Sequence, residues 1–251
     1  MFQTALGRGL GEACASPTRI LLVEDERLLG TLVQEVILHL FPSAECHLAH
    51  TIEESLAYLD KNSPTVILLD LGLPDGDGWE FAHRCSAPGS RKRLLVISGR
   101  VDDATMLEAS RAPIAGFVDK SGTSPEGLKQ AILAVAAGGT YFSPGIIVAM
   151  TRVRQDPDLW TKLLSTAEMA IMPALLDGWD DAEIAVTLGR GRETIRSQRR
   201  SIMKKLGLTS TVELILWGAE RGLKRFLSIL NPAQLSSGEA PRQAWNAGNR
   251  N

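Results

Sequence analysis

The stretch Val66-Ile67-Leu68-Leu69-Asp70-Leu71-Gly72-Leu73-Pro74-Asp75-Gly76-Asp77-Gly78 joins four apolar residues, one aspartate and a Pro/Gly-rich turn. A short apolar run bounded by turn residues reads as a strand buried on both faces of a parallel sheet. Asp70 stands at its carboxyl end. Outward from it the pattern repeats. Ile20-Leu21-Leu22-Val23 runs into Glu24-Asp25, Leu94-Leu95-Val96-Ile97 runs into Ser98, and the weaker segment Phe117-Val118-Asp119 is closed by Lys120. Ligand sites in open α/β sheets lie at the carboxyl ends of the strands. Three carboxylates, a hydroxyl and an ammonium gathered there can hold Mg²⁺ and a phosphoryl group. Glu24, Asp25, Asp70, Ser98 and Lys120 are therefore expected to form one site.

Helix signals fill the gaps between these runs. Leu28, Leu29, Leu32, Val33, Val36, Ile37 and Leu40 follow the spacing of an amphipathic helix. Glu45-Ala49 reads as a short strand, and Thr51 with Glu54 reads as a capping box opening the next helix. Further helices are expected over 79–85, 102–110 and 125–137. The series predicts an α/β doubly wound, five-stranded parallel sheet over residues 18–140. Gly138-Gly139 and Ser143-Pro144-Gly145 break it, and 141–161 reads as a linker with helical character, interrupted at Pro157. From Lys162 to Leu230 no strand signal survives. Four helices are expected there, over 166–176, 181–188, 192–206 and 211–220, forming a small all-α domain. Residues 1–17, with a single basic residue (Arg8), and the polar stretch 231–251 are expected to be disordered.

With 251 residues, 44% of them apolar and 22% charged, the composition fits two soluble globular domains. No apolar stretch approaches the roughly 20 residues of a membrane span, so no membrane association is expected. Cys14, Cys46 and Cys85 form no CxxC motif, which points to a reducing cytoplasmic setting. His47-x-x-His50 reads as surface histidines beside a strand in preference to a metal clip. The formal net charge of −2 conceals a basic stripe: residues 190–205 hold seven basic residues and a single acid, Glu193. An acidic pocket and a basic stripe in one chain suggest an input end and an output end.

The Glu24-Asp25 pair, Asp70 with the turn that follows it, Ser98-Gly99 and Phe117-Val118-Asp119-Lys120 together resemble a two-component receiver domain. The resemblance covers about 120 residues and implies roles. Asp70 would be the phosphoacceptor. Asp25, Asp70 and the backbone carbonyl of Gly72 would hold Mg²⁺, with Glu24 acting mostly through water. Lys120 would pair with Asp70 and then with the phosphoryl oxygens, and Ser98 would donate its hydroxyl to them. Phe117 would be the switch, rotating from exposed to buried as Ser98 is pulled inward. Pro74 and Gly78 read as turn and packing residues. Phosphatases of the haloacid-dehalogenase type need a second aspartate two residues after the nucleophile, and Gly72 stands there instead.

Leu164-Ser165-Thr166-Ala167-Glu168, Asp181-Ala182-Glu183-Ile184-Ala185, Glu193-Thr194-Ile195-Arg196 and Ile202-Met203-Lys204-Lys205-Leu206-Gly207-Leu208 resemble a LuxR-type helix-turn-helix. With the connector around Tyr141, the whole resembles a NarL/FixJ-type response regulator. On a helix from Arg192, Ile195, Ile202 and Leu206 share one side, while Arg192, Arg196, Arg199 and Arg200 span an arc of about 100° beside them. Arg196 and Arg200 are the expected base or near-base contacts in a major groove, with Arg192 beside them. Arg199, Lys204 and Lys205 are expected on phosphates, and Glu168 in an internal pair. Gly191 offers the helix no side-chain cap, and Gln198 stands where a His is common.

The resemblance implies a transcription factor with no enzymatic output. A cognate sensor histidine kinase would phosphorylate it, and it would act as a homodimer on double-stranded DNA. The competing expectation is a DNA-binding regulator insensitive to phosphate, with the first domain serving as a protein-interaction module.

Overall fold

A computed structural model describes residues 19–86 and 92–230. The expected disordered segments 1–17 and 231–251, and Cys14 with them, lie outside the described residues. The chain divides into two compact units, Met1–Gly99 with Ala112–Gly145, and Arg100–Arg111 with Ile146–Asn251.

The first unit alternates strand and helix. In chain order it holds β1 (Arg19–Val23), α1 (Arg27–Leu40), β2 (Glu45–Ala49), α2 (Ile52–Leu59), β3 (Val66–Leu69), α3 (Gly78–Cys85) and β4 (Arg93–Ser98). After α4 (Asp103–Ala109), which clusters with the second unit, come β5 (Gly116–Asp119), α5 (Pro125–Ala136) and β6 (Tyr141–Phe142). All neighbouring strands pair parallel, in the order β2-β1-β3-β4-β5-β6. Ile20, Leu22, Val66, Leu68, Leu95, Ile97 and Val118 pack beneath Val33 and Ile37 of α1 and Ala131, Ile132 and Val135 of α5. The alternate strand residues Leu21, Ile67, Leu69 and Val96 are equally buried. Covering both faces is what turns alternation into unbroken apolar runs, and each such side chain contributes roughly 1.5–3 kcal/mol on burial.

Local chemistry sets the helix starts. Thr51 Oγ1 accepts from Glu54 N at 3.1 Å, the first half of the expected capping box, but Glu54 Oε2 accepts from His50 N at 2.6 Å, one residue ahead of the cap, so the reciprocal bond to Thr51 N is not made. Asp77 caps α3 through Trp79 N at 2.7 Å, and Ser124 caps α5 with Pro125 in its first turn.

The sheet has six strands, not five. Tyr141 and Phe142, two residues of the expected linker, lie beside Gly116 and Phe117. Two residues are too few for a periodic signal, and the free edge of β5 supplies their hydrogen bonds. Tyr141 N donates to Ala115 O at 3.0 Å and Ser143 N to Phe117 O at 3.0 Å. The approach needs a glycine, because a Cβ at Gly116 would overlap the Tyr141 carbonyl oxygen. Gly116→Ala should detach β6 while leaving the other strands paired. Hydrogen exchange would register this as lost protection at Tyr141 and Ser143, with β1 and β3 unchanged.

The second unit is helical: α4, most of α6 (Pro144–Gln155), α7 (Trp160–Leu163), α8 (Thr166–Met169), α9 (Met172–Leu176), α10 (Asp181–Leu188), α11 (Arg192–Leu206), α12 (Thr211–Glu220) and α13 (Leu223–Leu230). The helix expected over 166–176 is two, because Pro173 can open a helix but cannot sit inside one. Leu223–Leu230 forms a helix beyond the four expected. Trp160 meets the rings of Trp217 and Phe226 edge-on, at 6.4 and 5.9 Å between centroids. Ile171, Met172, Leu175, Ile184, Ile195, Ile202 and Leu214 are fully buried. Among the described residues no helix is long and apolar enough to cross a membrane.

Candidate functional site

The carboxyl ends of β1, β3 and β5 bring Glu24, Asp25, Asp70 and Lys120 together. One carboxylate oxygen from each of Glu24, Asp25 and Asp70 lies within 4.8 Å of the others. Lys120 Nζ sits 2.8 Å from Asp70 Oδ2 and 2.9 Å from Glu24 Oε1, bridging two of the three acids. Gly72 N donates to Asp70 Oδ1 at 3.1 Å, so both oxygens of Asp70 are held. The cluster is graded in exposure: Glu24 and Asp70 are buried, and Asp25 is open to solvent.

Burial pushes the Glu24 carboxyl pKa up and outweighs the lowering by Lys120. For Lys120, burial opposes the charge, but its bonds to Asp70 and Glu24 win and raise its pKa. Ser98 is buried at the end of β4, level with Asp119 of β5 and one residue from Lys120. Three hard oxygen donors with one exposed side suit a small divalent cation that keeps waters.

One departure from expectation concerns the surroundings, and Gly78 is as expected. Phe117 is fully buried, its ring 6.3 Å from that of Trp79. The exposed resting position expected of it is not the one found: a phenyl ring has no polar tip to hold at the surface, and Trp79 offers it a packed site. Gly78 is a packing residue, since a Cβ there would stand 2.9 Å from the Asp70 carbonyl oxygen and closer still to Leu71 Cα.

Sequence reading missed Asp75 and His50. Asp75 accepts from Ile52 N and Glu53 N, both at 2.9 Å, fastening the loop after Asp70 to the start of α2. His50 Nδ1 lies 2.8 Å from the Glu24 carbonyl oxygen. A Pro-Asp-Gly turn signals side-chain-to-backbone bonding, but partners more than 20 residues away leave no trace in local spacing.

In the second unit α10 and α11 pack as a helix pair. Asp180 and Glu183 form a capping box on α10, whereas Gly191 gives α11 no side-chain cap. Ile195 and Ile202 are fully buried, and Arg192, Arg196, Arg200 and Lys204 are exposed. Two cations expected on phosphates are ion-paired with neighbouring helices of the same unit. Arg199 Nε donates to Asp181 Oδ1 at 2.7 Å and Nη2 to the Trp179 carbonyl at 2.8 Å. Lys205 Nζ lies 2.7 Å from Glu168 Oε2. On the helical wheel Arg199 stands only about 20° from Leu206, so it belongs to the edge of the buried side.

Glu168 is the internal pairing residue expected of it, also accepting from Ser165 N at 2.7 Å and Ser165 Oγ at 2.8 Å. Burial acts to raise its pKa, but Lys205, Ser201 and Ser165 together hold it at about 2, against 4.5 ordinarily. A depressed carboxylate stabilises the fold above its unfolded pKa, and that contribution is lost as pH falls through the folded value. Stability on the order of 2–3 kcal/mol should therefore vanish between about pH 4.5 and 2. Denaturant titrations of the wild type and of Glu168→Gln should converge across that window.

The fold and both clusters define a two-part signalling protein, a receiver-type sheet and a helix-turn-helix. Two family models match the chain: "Response regulator receiver domain" over residues 20–133 and "Bacterial regulatory proteins, luxR family" over 162–217. The chain belongs to the transcriptional response regulators that join a receiver to a LuxR-type DNA-binding domain. Among its relatives, the transcriptional regulatory protein UhpA of Escherichia coli (strain K12) is 32% identical over 163 residues, covering 64% of this chain and 77% of UhpA. BvgA of Bordetella pertussis (strain Tohama I), a virulence factors putative positive transcription regulator, is 30% identical over 155 residues, covering 61% and 73%. The fold is shared with RcsB of Salmonella enterica serovar Typhimurium, solved bound to a promoter with the phosphomimetic BeF3-. There the TM-score is 0.57 at 21% identity, covering 85% of this chain and 99% of that one.

Proposed function

We propose that Asp70 accepts a phosphoryl group from a sensor histidine kinase and that the acylphosphate controls operator binding by α11. The observation that carries this reading is Lys120 Nζ, 2.8 Å from Asp70 Oδ2, beside three carboxylates within 4.8 Å of one another. Asp70 attacks phosphorus, the P–N bond of the phosphohistidine breaks, and the imidazole leaves with its electron pair. Glu24, Asp25, Asp70 and the Gly72 carbonyl would hold Mg²⁺, whose charge offsets the repulsion between carboxylate and phosphoryl oxygens. Lys120 moves from the Asp70 oxygen to a phosphoryl oxygen, and Ser98 donates its hydroxyl to another. Phe117, already inward, keeps a packing role here and not that of an outward-to-inward rotor.

The receiver function is assigned to residues 18–143, because β6 belongs with its sheet, and DNA binding to 162–230. Arg192, Arg196, Arg200 and Lys204 are the DNA contacts this reading retains. Val212 and Leu216, one turn apart on α12 and 65% and 58% exposed, supply an apolar stripe for a second copy. The protein works in the cytoplasm, beside its DNA.

Sequencing genomic fragments captured by the full-length protein, with and without beryllium fluoride and Mg²⁺, tests the reading. An inverted repeat enriched more strongly with beryllium fluoride supports it. Equal enrichment in both conditions overturns phosphate control and leaves a phosphate-insensitive DNA-binding regulator.

A further inference from the structure

We infer that Arg199 is a positioning residue that sets the angle of α11 against DNA and does not itself touch DNA; this rests on the reading of α11 as the DNA-contacting helix. Three of its guanidinium N–H groups are directed at three partners on two segments. Nε meets Asp181 Oδ1, in the first turn of α10, at 2.7 Å. Nη2 meets the Trp179 carbonyl, just before α10, at 2.8 Å, and Nη1 meets Thr211 Oγ1, at the start of α12, at 3.3 Å. The Arg199 and Asp181 side chains are 19% and 20% exposed, against 56% for Arg196. One planar fork thus ties the middle of α11 to the N-terminal ends of two other helices. Lysine, with a compact ammonium at the end of a flexible stem, cannot make those three bonds in one geometry.

The consequence falls on its neighbours. Arg196 and Arg200 lie about 60° and 100° from Arg199 around the same helix, and among the described residues neither is bonded to another helix. At an outer radius of about 5–6 Å, side chains included, each 10° of rotation moves the outer part of a side chain by about 1 Å. Bidentate reading of a base edge tolerates little of that. A phosphate contact by Arg199, in contrast, would break three bonds and leave the Asp181 carboxylate part-buried without its cation.

The two roles predict opposite signs. Fluorescence anisotropy would use the full-length protein with beryllium fluoride and Mg²⁺. The probes are a 30-bp duplex, chosen by the wild type from a random-sequence library, and a shuffled duplex of the same composition. If Arg199 positions the helix, Arg199→Lys and Asp181→Asn each lower the selected-to-shuffled affinity ratio about tenfold or more, from lost base discrimination. Binding to the shuffled duplex and the slope of log K against log salt then stay at wild-type values. Thr211→Val, which removes one bond with little change of shape, gives a loss of the same kind of about threefold. It carries the test if the other two variants do not fold.

If Arg199 instead contacts phosphate, Arg199→Lys binds like the wild type. Arg199→Ala then weakens both duplexes equally and reduces the salt slope by about one, and Asp181→Asn, removing a negative charge, tightens both. That pattern overturns the inference while leaving DNA binding intact. Enrichment of no sequence by the wild type would overturn the DNA reading itself, and the inference with it.

Discussion

Asp70→Asn should reduce phosphoryl uptake from acetyl phosphate and Mg²⁺ to background, without unfolding the receiver. Both oxygens of the side chain are fixed, by Gly72 N and by Lys120 Nζ. An amide keeps the shape and the bond from Gly72 but has no nucleophilic oxygen to offer. The fold should hold because Lys120 retains Glu24 at 2.7 Å. Lys120→Met separates the other half of the chemistry. It removes the cation that faces the phosphoryl group, which should slow transfer by roughly 10²–10³-fold. The same substitution removes a competitor 2.8 Å from an oxygen of the proposed metal site, so Mg²⁺ measured by calorimetry should bind more tightly as phosphorylation fails. Loss of both binding and transfer would mean that Lys120 only holds the acids in place.

What the sequence disclosed depended on how far apart the interacting groups stand. The strands β1, β3 and β4 are legible as apolar runs because both faces of the sheet are covered, and their end residues converge as the α/β rule requires. β6 was hidden, since two residues have no period. The division of 166–176 into two helices was readable in principle from Pro173, but the apolar spacing on either side suggested one. Of the basic stripe, composition shows only its existence. Which cations are spent internally depends on Asp181 and Glu168, 18 and 37 residues from their partners, and no local pattern connects them. The wheel position of Arg199, at the margin of the buried side, was the one available sign.

The exposed cations of α11 should then divide by the kind of binding they lose. Arg196 makes only a 3.7 Å pair with Glu193, both largely exposed, and such pairs are worth about 0–1 kcal/mol, so the guanidinium is released at little cost. Arg196→Ala and Arg200→Ala should each weaken binding to the operator by roughly 5–150-fold, corresponding to about 1–3 kcal/mol per bidentate base contact. Binding to shuffled DNA should change far less. Lys204, an exposed point charge near the other end of α11, should behave otherwise. Its substitution by alanine should weaken operator and shuffled duplex by the same factor and reduce the salt slope by about 0.9, the signature of one phosphate fewer. Equal losses on both duplexes for all three variants would make α11 an electrostatic clamp with no sequence readout. A selectivity defect confined to Arg196 and Arg200 would place the base-reading surface on one side of the helix, beside the Arg199 anchor.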